Sequence, residues 1–335
     1  MDCKLIIEFK TDKKDIHYDG SIYVKKNLSD IISVADNLIC ISFSRDNPAK
    51  LGDLLDSPKS IIRGELQKAL CFYLGVCGEI PPVKNVTYLR GSKLHLINHE
   101  YFTETWKNCT IKHTLLKDDI SLIFTNQELA SKRYITLSYY LKAQIDKFSN
   151  DCFRAAWSGI NSFFPAEGNE SEKINGFRQF LTDSRLPLAK QFISTLPDYF
   201  WDKLDWYQYI KKNVNKMSSI CSWNHIKDSL LLDKMLTLME AYEERFTEQN
   251  IQMPDLATLK RQLKRKIEQN TMDCHTRLLF LICDYCYFLR NRNFHAGVPY
   301  PVFIISQEAE TGVEKNLTEL LILLMKDLIK DEVKG

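Results

Sequence analysis

Arg290, Asn291 and His295 stand close together in the sequence and follow an apolar run. That run, residues 285–289, predicts a helix in the protein core, and Gly297 predicts where the helix ends. A guanidinium, an amide and an imidazole would therefore meet at the border of the core. Because contact with water is limited there, pKa values can be shifted toward those that catalysis requires.

These side-chain types suit one kind of reaction on RNA. A histidine with a pKa of about 6.5 takes up and returns a proton at neutral pH. An arginine is always charged and binds a phosphate through two parallel hydrogen bonds. His295 could thus deprotonate a ribose 2′-hydroxyl while Arg290 stabilises the pentavalent phosphate, without a metal or another cofactor. The alternative is that both side chains bond helix-end carbonyls or pair with Asp284.

One face of the predicted helix extends this set. At about 100° per residue, Asp284, Phe288, Asn291 and His295 fall within about 40° of one line on the helix surface. Asp284 is therefore a candidate for a supporting role beside the catalytic set.

The elements before this helix are of two kinds. The first third of the chain predicts strands and one helix, in which Ser57 caps the first turn and Pro58 follows it. Asp19 and Gly20 form a dipeptide typical of tight hairpin turns, which predicts a strand pair over residues 16–24. Further strands are predicted over residues 5–9, 38–43 and 86–96, the last broken at 90–92, and a hairpin over 111–125 around 117–119.

From about Ser131 onward the pattern is helical. We therefore predict an α+β domain over residues 1–130 and an all-α domain over residues 131–335. The last helix is expected to begin at Asn316, with Glu319 completing a capping box. Its apolar stripe consists of Leu317, Leu320, Leu321, Leu324 and Leu328.

The segment Leu289–Gly297 resembles the Arg-polar-x3-His signature of the HEPN family, helical domains found in many ribonucleases. A second segment contains Trp157 and Asn161 and resembles the Trp-x3-Asn pattern in the first helix of some members. The resemblance covers about residues 135–330. It implies a helical bundle in which two copies of the chain build one cleft.

By this resemblance the catalytic residues are Arg290, Asn291 and His295, with Asn161 as a supporting candidate. Some HEPN proteins carry a tyrosine two residues after the histidine, which a partner nucleotidyltransferase modifies. Here that position is Gly297, so this pairing is not expected. The implied partners are RNA, a second copy of the chain, and an antitoxin or a trigger protein. The implied role is in toxin or anti-phage defence, with the α+β domain sensing, recognising or regulating.

Other features of the sequence admit a functional and a structural interpretation. Glu8 and Lys10 share one side of a strand, as in metal-dependent nucleases, but only Asp2 could supply the further acid, so chance is the simpler account. Cys283 and Cys286 lack a second pair at zinc spacing and are interpreted as core thiols.

One helix face carries four cations that could follow an RNA backbone or simply face solvent: Lys260, Arg261, Lys264 and Arg265.

The composition limits the classes of protein. The chain has 335 residues, 45 Lys+Arg and 43 Asp+Glu, a net charge of +2 and 44% hydrophobic residues. Such a chain predicts about two globular domains, and any nucleic-acid affinity needs a local basic patch. The absence of a Gly-rich phosphate loop, His-Glu-x2-His and Gly-x-Ser-x-Gly argues against NTPases, zinc peptidases and α/β-hydrolases.

Location and function follow as expectations. The ten cysteines are scattered, which is typical of free thiols in a reducing compartment. The longest apolar run, residues 278–289, is shorter than the about 20 residues that cross a bilayer, and no signal-peptide layout is present. We expect a cytoplasmic, homodimeric, metal-independent endoribonuclease without membrane contact. The alternative is a catalytically inactive HEPN-like module that binds RNA or protein or serves in dimerisation.

Overall fold

The computed structural model describes residues 1–11, 16–25, 28–45, 55, 60–97, 109–125, 128–146, 149–222, 226–295 and 308–332. The chain divides into two compact units. The first unit consists of Met1–Ser162 together with Leu328–Gly335, and the second consists of Phe163–Asp327.

A six-stranded antiparallel sheet dominates the first unit. Its strand order is β2-β3-β4-β1-β5-β6, so the first strand of the chain lies inside the sheet. The strands are β1 (Asp2–Phe9), β2 (His17–Lys25), β3 (Leu28–Ala35), β4 (Leu38–Ser44), β5 (Val83–Arg90) and β6 (Lys93–Ile97). The predicted strands at residues 5–9 and 38–43 are confirmed, and the β-rich run over 86–96 is divided at its predicted break into β5 and β6.

Alternation of side chains explains why this sheet has one buried face. Along β1, Cys3, Leu5, Ile7 and Phe9 are buried, while the residues between them face the other way. Successive side chains of a strand point to opposite faces, so one apolar set can cover a core.

Helix α1 (Ile61–Cys77) supplies apolar cover for the first unit. It begins after Ser60, whose hydroxyl accepts a hydrogen bond from the Arg63 amide at 3.3 Å, and it ends at Gly78, where φ is 82°. Ser57 and Pro58 lie outside the described residues. Of the apolar side chains at helical spacing, these five are buried: Ile62, Leu66, Ala69, Leu70 and Tyr73.

The predicted turn at Asp19-Gly20 is wrong, because β2 runs through both residues as one strand. Gly20 pairs with Ile32 of β3, and the chain reverses between Lys25 and Leu28. The glycine serves packing here, since a Cβ atom at position 20 would collide with the Tyr18 side chain.

The predicted hairpin over 111–125 is also wrong. Helix α2 (Lys117–Ile120) and a 3₁₀ turn (Ser121–Phe124) take its place. The Asp119 carboxylate accepts a hydrogen bond from the Leu116 amide at 3.3 Å. Acidic residues in a first turn favour a helix start, and this local stabilisation outweighs the β-rich composition.

The remaining helices begin at Glu128, close to the predicted change at residue 131. The first unit contains α3 (Glu128–Ile145) and α4 (Ser149–Asn161). The second unit contains α5 (Glu170–Phe180), α6 (Pro187–Thr195), α7 (Asp198–Asp202), α8 (Trp206–Ser222), α9 (Ser229–Glu248), α10 (Leu256–Glu268), α11 (Cys274–Leu279) and α12 (Tyr287–His295). The predicted order, an α+β part followed by a mostly helical part, is confirmed.

The last helix, α13 (Glu308–Glu332), contributes residues to both units. Its predicted start at Asn316 is wrong, because α13 begins at Glu308 and Asn316 lies within it. The Asn316 side-chain amide donates a hydrogen bond to the Gly312 carbonyl at 2.9 Å. The predicted leucine stripe is confirmed, since all five of its members are fully buried. Among the described helices, none combines the length and the apolar character that a bilayer crossing requires.

Buried polar contacts fix the helices of the second unit. The Asp327 carboxylate accepts hydrogen bonds from the Leu188 and Ala189 amides at 2.9 and 3.0 Å, which caps α6. Asp228, fully buried, accepts from Arg277 Nε at 2.8 Å and also caps α9. The first contact joins α6 to α13, and the second joins the start of α9 to α11.

Candidate functional site

The second unit contains an open cleft of about 880 Å³. One face of each of three helical segments lines it: α5, α8 and the continuous stretch from residue 280 into α12. On α8, for example, Gln208, Lys212, Lys216 and Ile220 follow one another at four-residue intervals. Residues four apart lie on the same side of a helix, so the sequence of each helix presents a continuous wall to the cleft.

A π-helix (Phe280–Cys286) precedes α12 in the third wall. Such wide turns are rare and often occur at functional sites. Asp284, Phe288 and Asn291 all line the cleft across this junction, so the structure brings together three of the residues that the sequence placed on one face. His295 is the last residue of α12, and its side chain lies outside the described residues.

Arg290 adjoins the cleft through two of its lining residues. Its Nη1 donates to Glu170 Oε1 and to Asn291 Oδ1, each at 2.6 Å. Glu170 is the first residue of α5 and lies 120 positions from Arg290, so no local pattern of the sequence indicates its role. The ion pair with Glu170 orients the guanidinium, and the second hydrogen bond joins it to the Asn291 side chain.

Tyr287 belongs to the same network. Burial raises the pKa of its hydroxyl above the usual tyrosine value, and hydrogen bonding with Asn291 opposes that rise while Glu170 adds to it. The phenol therefore stays protonated at neutral pH, which makes it a hydrogen-bond donor at the edge of the cleft.

Asp284 forms an ion pair in the cleft wall. Arg178 Nη2 donates to Asp284 Oδ1 at 2.8 Å, and both side chains are only 12% exposed. Burial raises the pKa of the Asp284 carboxyl above its ordinary value, and the neighbouring Arg178 charge opposes this. Asp284 is thus held by a partner from α5, whereas the structural alternative from the sequence paired it with Arg290 or His295.

Three exposed lysines of α8 line the cleft, and sequence reasoning missed them: Lys211, Lys212 and Lys216. Lys211 Nζ donates to the Gln249 side-chain oxygen at 2.8 Å, a contact that leaves its charge uncompensated. Their signal was present as cations on one helix face, mixed with the amides Gln208 and Asn213. The denser run of cations on α10 is the stronger signal in the sequence.

The predicted cationic face of α10 is exposed and partly neutralised. Lys260 Nζ lies 3.0 Å from Glu240 Oε1, and Lys264 Nζ lies 3.6 Å from Glu268 Oε1. Arg261 donates to the Thr258 hydroxyl at 3.1 Å, and Arg265 is exposed.

Of the other residues that the sequence singled out, Cys283 lines the cleft. Asn161 ends α4 in the first unit and is exposed, while Trp157 of the same helix is buried. Glu8 accepts a hydrogen bond from Asn85 Nδ2 at 3.0 Å. Cys283 and Cys286 are buried free thiols, and burial raises the pKa of Cys283 to about 12. In the described part of the chain, no three His, Cys, Asp or Glu side chains are grouped so that they could hold a metal ion.

Comparison of the chain with protein-family models, with curated proteins and with solved structures finds no match.

Proposed function

We propose that this protein is a metal-independent endoribonuclease of the HEPN type that acts as a homodimer. The observation that supports this best is the position of the signature helix, which lies along a cleft whose wall carries three lysines. A cationic cleft beside an Arg-x4-His segment suits a reaction on a phosphodiester. A cytoplasmic role in toxin or anti-phage defence remains part of the proposal, as the resemblance implies.

The reaction follows from the chemistry of these side chains. His295 takes the proton from a ribose 2′-hydroxyl, and the 2′-oxygen attacks the adjacent phosphorus. The bond from phosphorus to the 5′-oxygen breaks, leaving a 2′,3′-cyclic phosphate and a 5′-hydroxyl. The leaving oxygen needs a proton, and one histidine cannot easily serve as base and acid in one step. His295 of a second copy would supply that proton, which is why the proposal includes a dimer.

Arg290 stabilises the pentavalent phosphate in this scheme. Its guanidinium would exchange Glu170 for a phosphate oxygen when substrate binds. The Glu170 side chain is 55% exposed, and ion pairs with exposed partners contribute little. Replacing Glu170 by a phosphate oxygen therefore costs little free energy. Asn291 can hold the guanidinium in place while this exchange occurs.

The proposal is tested by expressing the wild-type chain, His295→Ala, Arg290→Ala and the control Arg265→Ala in a bacterial host and examining total RNA. We expect RNA degradation and growth arrest with the wild type and with Arg265→Ala, and neither with the other two variants. Equal RNA profiles for the wild type and His295→Ala, at matched amounts of folded protein, would contradict the proposal.

One observation favours the second candidate, a catalytically inactive HEPN-like module that binds RNA or protein or forms dimers. Arg290 is held by Glu170 and Asn291, as expected of an arginine that stabilises a fold. In that case no variant changes cellular RNA, and Arg290→Ala lowers the melting temperature by a few degrees at most, because the ion pair with exposed Glu170 contributes little.

A further inference from the structure

The charges that line the cleft are not balanced. The Asp284 carboxylate is paired with Arg178 at 2.8 Å, and the Glu170 carboxylate is paired with Arg290 at 2.6 Å. The three lysines of α8 contribute positive charge beyond these pairs. A concave surface with an excess of one charge concentrates ligands of the opposite charge, so the cleft favours an anion.

Two of these lysines are spaced for a chain of anions. Lys212 and Lys216 are one helical turn apart, a rise of about 6 Å at 1.5 Å per residue. This separation is comparable to that of neighbouring phosphates along a nucleic-acid strand. Within the described part of the chain, neither lysine makes an ion pair, so both ammonium groups are available to a ligand.

The other lining groups suit nucleotides better than a free phosphate. The exposed amides of Asn175 and Gln208 both donate and accept hydrogen bonds, as base edges require. The half-buried ring of Tyr287 offers a surface on which a base can stack. A single phosphate would leave most of the 880 Å³ empty, whereas several nucleotides would occupy it.

We propose that the α8 wall of the cleft binds the backbone of single-stranded RNA, with Lys212 and Lys216 contacting successive phosphates. This inference rests on the proposed function, because it identifies the surface that presents RNA to the signature helix. It assigns substrate binding to residues outside the signature.

Binding is measured by fluorescence anisotropy with a fluorescein-labelled RNA of about 16 nucleotides, in a His295→Ala background that prevents cleavage. The logarithm of the association constant falls linearly with the logarithm of the salt concentration, and each phosphate contact on a single strand adds about 0.7 to the steepness of that fall. Lys212→Ala/Lys216→Ala should therefore reduce the steepness by about 1.4 and weaken RNA binding about 25-fold at about 0.1 M salt. Lys212→Arg/Lys216→Arg should retain the affinity. Circular dichroism confirms that the exposed substitutions leave the helices intact.

A matched pair on another helix locates the site. Lys260→Ala/Lys264→Ala removes two lysines with the same spacing, but both are ion-paired, so we expect less than a threefold change. An equal loss in this control would overturn the assignment to the cleft, as would competition by poly-glutamate or inorganic phosphate that matches unlabelled RNA.

The outcomes separate this inference from the proposed function. If the wild type binds RNA through Lys212 and Lys216 but leaves it intact, the inference stands and the ribonuclease proposal fails. If the wild type cleaves RNA and the α8 double variant binds and cleaves equally well, the ribonuclease proposal stands and the inference is overturned.

Discussion

Replacing Glu65 with glutamine should make the first unit more stable at neutral pH. Glu65 lies on α1 and is 3% exposed, and both of its carboxylate oxygens are buried without a hydrogen-bond partner. The carboxylate of Asp30, which is fully buried, interacts with it. Arg45 does not neutralise both acids, because its guanidinium bonds Asp30, at 2.7 and 2.5 Å.

The pKa of Glu65 follows from these surroundings. Burial, followed by the negative charge of Asp30, raises it to about 9, and Arg45 opposes the rise. The folded chain therefore keeps a proton that the unfolded chain releases above pH about 4.3. The contribution of this proton to the free energy of unfolding is fully present below pH about 4.3, and it is lost progressively as the pH rises toward 9.

The magnitude can be worked out from this difference. Each pH unit between the two pKa values changes the free energy of unfolding by about 1.4 kcal/mol, so holding the Glu65 proton at pH 7 costs about 3–4 kcal/mol. Glutamine resembles the protonated acid and avoids this cost. Glu65→Gln should thus raise the melting temperature of the first unit by about 10 °C at pH 7, and by only a few degrees at pH 5.

The assay is a melting curve of the wild type and Glu65→Gln at several pH values between 5 and 8. Glu8→Gln is the matched control, because Glu8 is partly exposed and bonded to Asn85, and it should change the melting temperature little at any pH. A Glu65→Gln effect that does not grow with pH, or a loss of stability at every pH, would refute the reasoning.

Three further expectations concern the second unit and assembly. Asp228→Ala leaves the Arg277 charge buried without its partner, and should lower the free energy of unfolding by about 3–5 kcal/mol in calorimetry; a loss below 1 kcal/mol would contradict this. Asp284→Asn weakens the pair with Arg178 and should cost about 2 kcal/mol, visible as a lower melting temperature. Light scattering at micromolar concentration should give the mass of a dimer, and a strict monomer would count against the proposed mechanism.

Sequence patterns identified the elements whose structure is set locally. The apolar run over residues 5–9 lies in β1, the break at 90–92 separates β5 from β6, and the leucine stripe of α13 expresses a helical period along one element. Turn signals were less reliable, because Asp19-Gly20 is also compatible with an extended strand.

In the candidate functional site, too, the sequence predicts contacts within one helix but not contacts between helices. Residues of one helix, such as Asp284, Phe288 and Asn291, could be placed together from their spacing alone. Glu170 and Lys212 could not, because their position beside α12 depends on packing between helices that are distant in the sequence. No local pattern indicated that residues 280–286 form a π-helix.

Cleavage of an RNA oligonucleotide and of its twin with one 2′-deoxy sugar tests the central claim most directly. Each is incubated with the wild-type chain, with and without excess EDTA, and the product ends are analysed. If His295 activates the 2′-hydroxyl and Arg290 stabilises the phosphate, cleavage persists in EDTA and yields 2′,3′-cyclic phosphate and 5′-hydroxyl ends. The twin is spared only at the marked sugar. Cleavage at that sugar, or complete inhibition by EDTA, would contradict the mechanism.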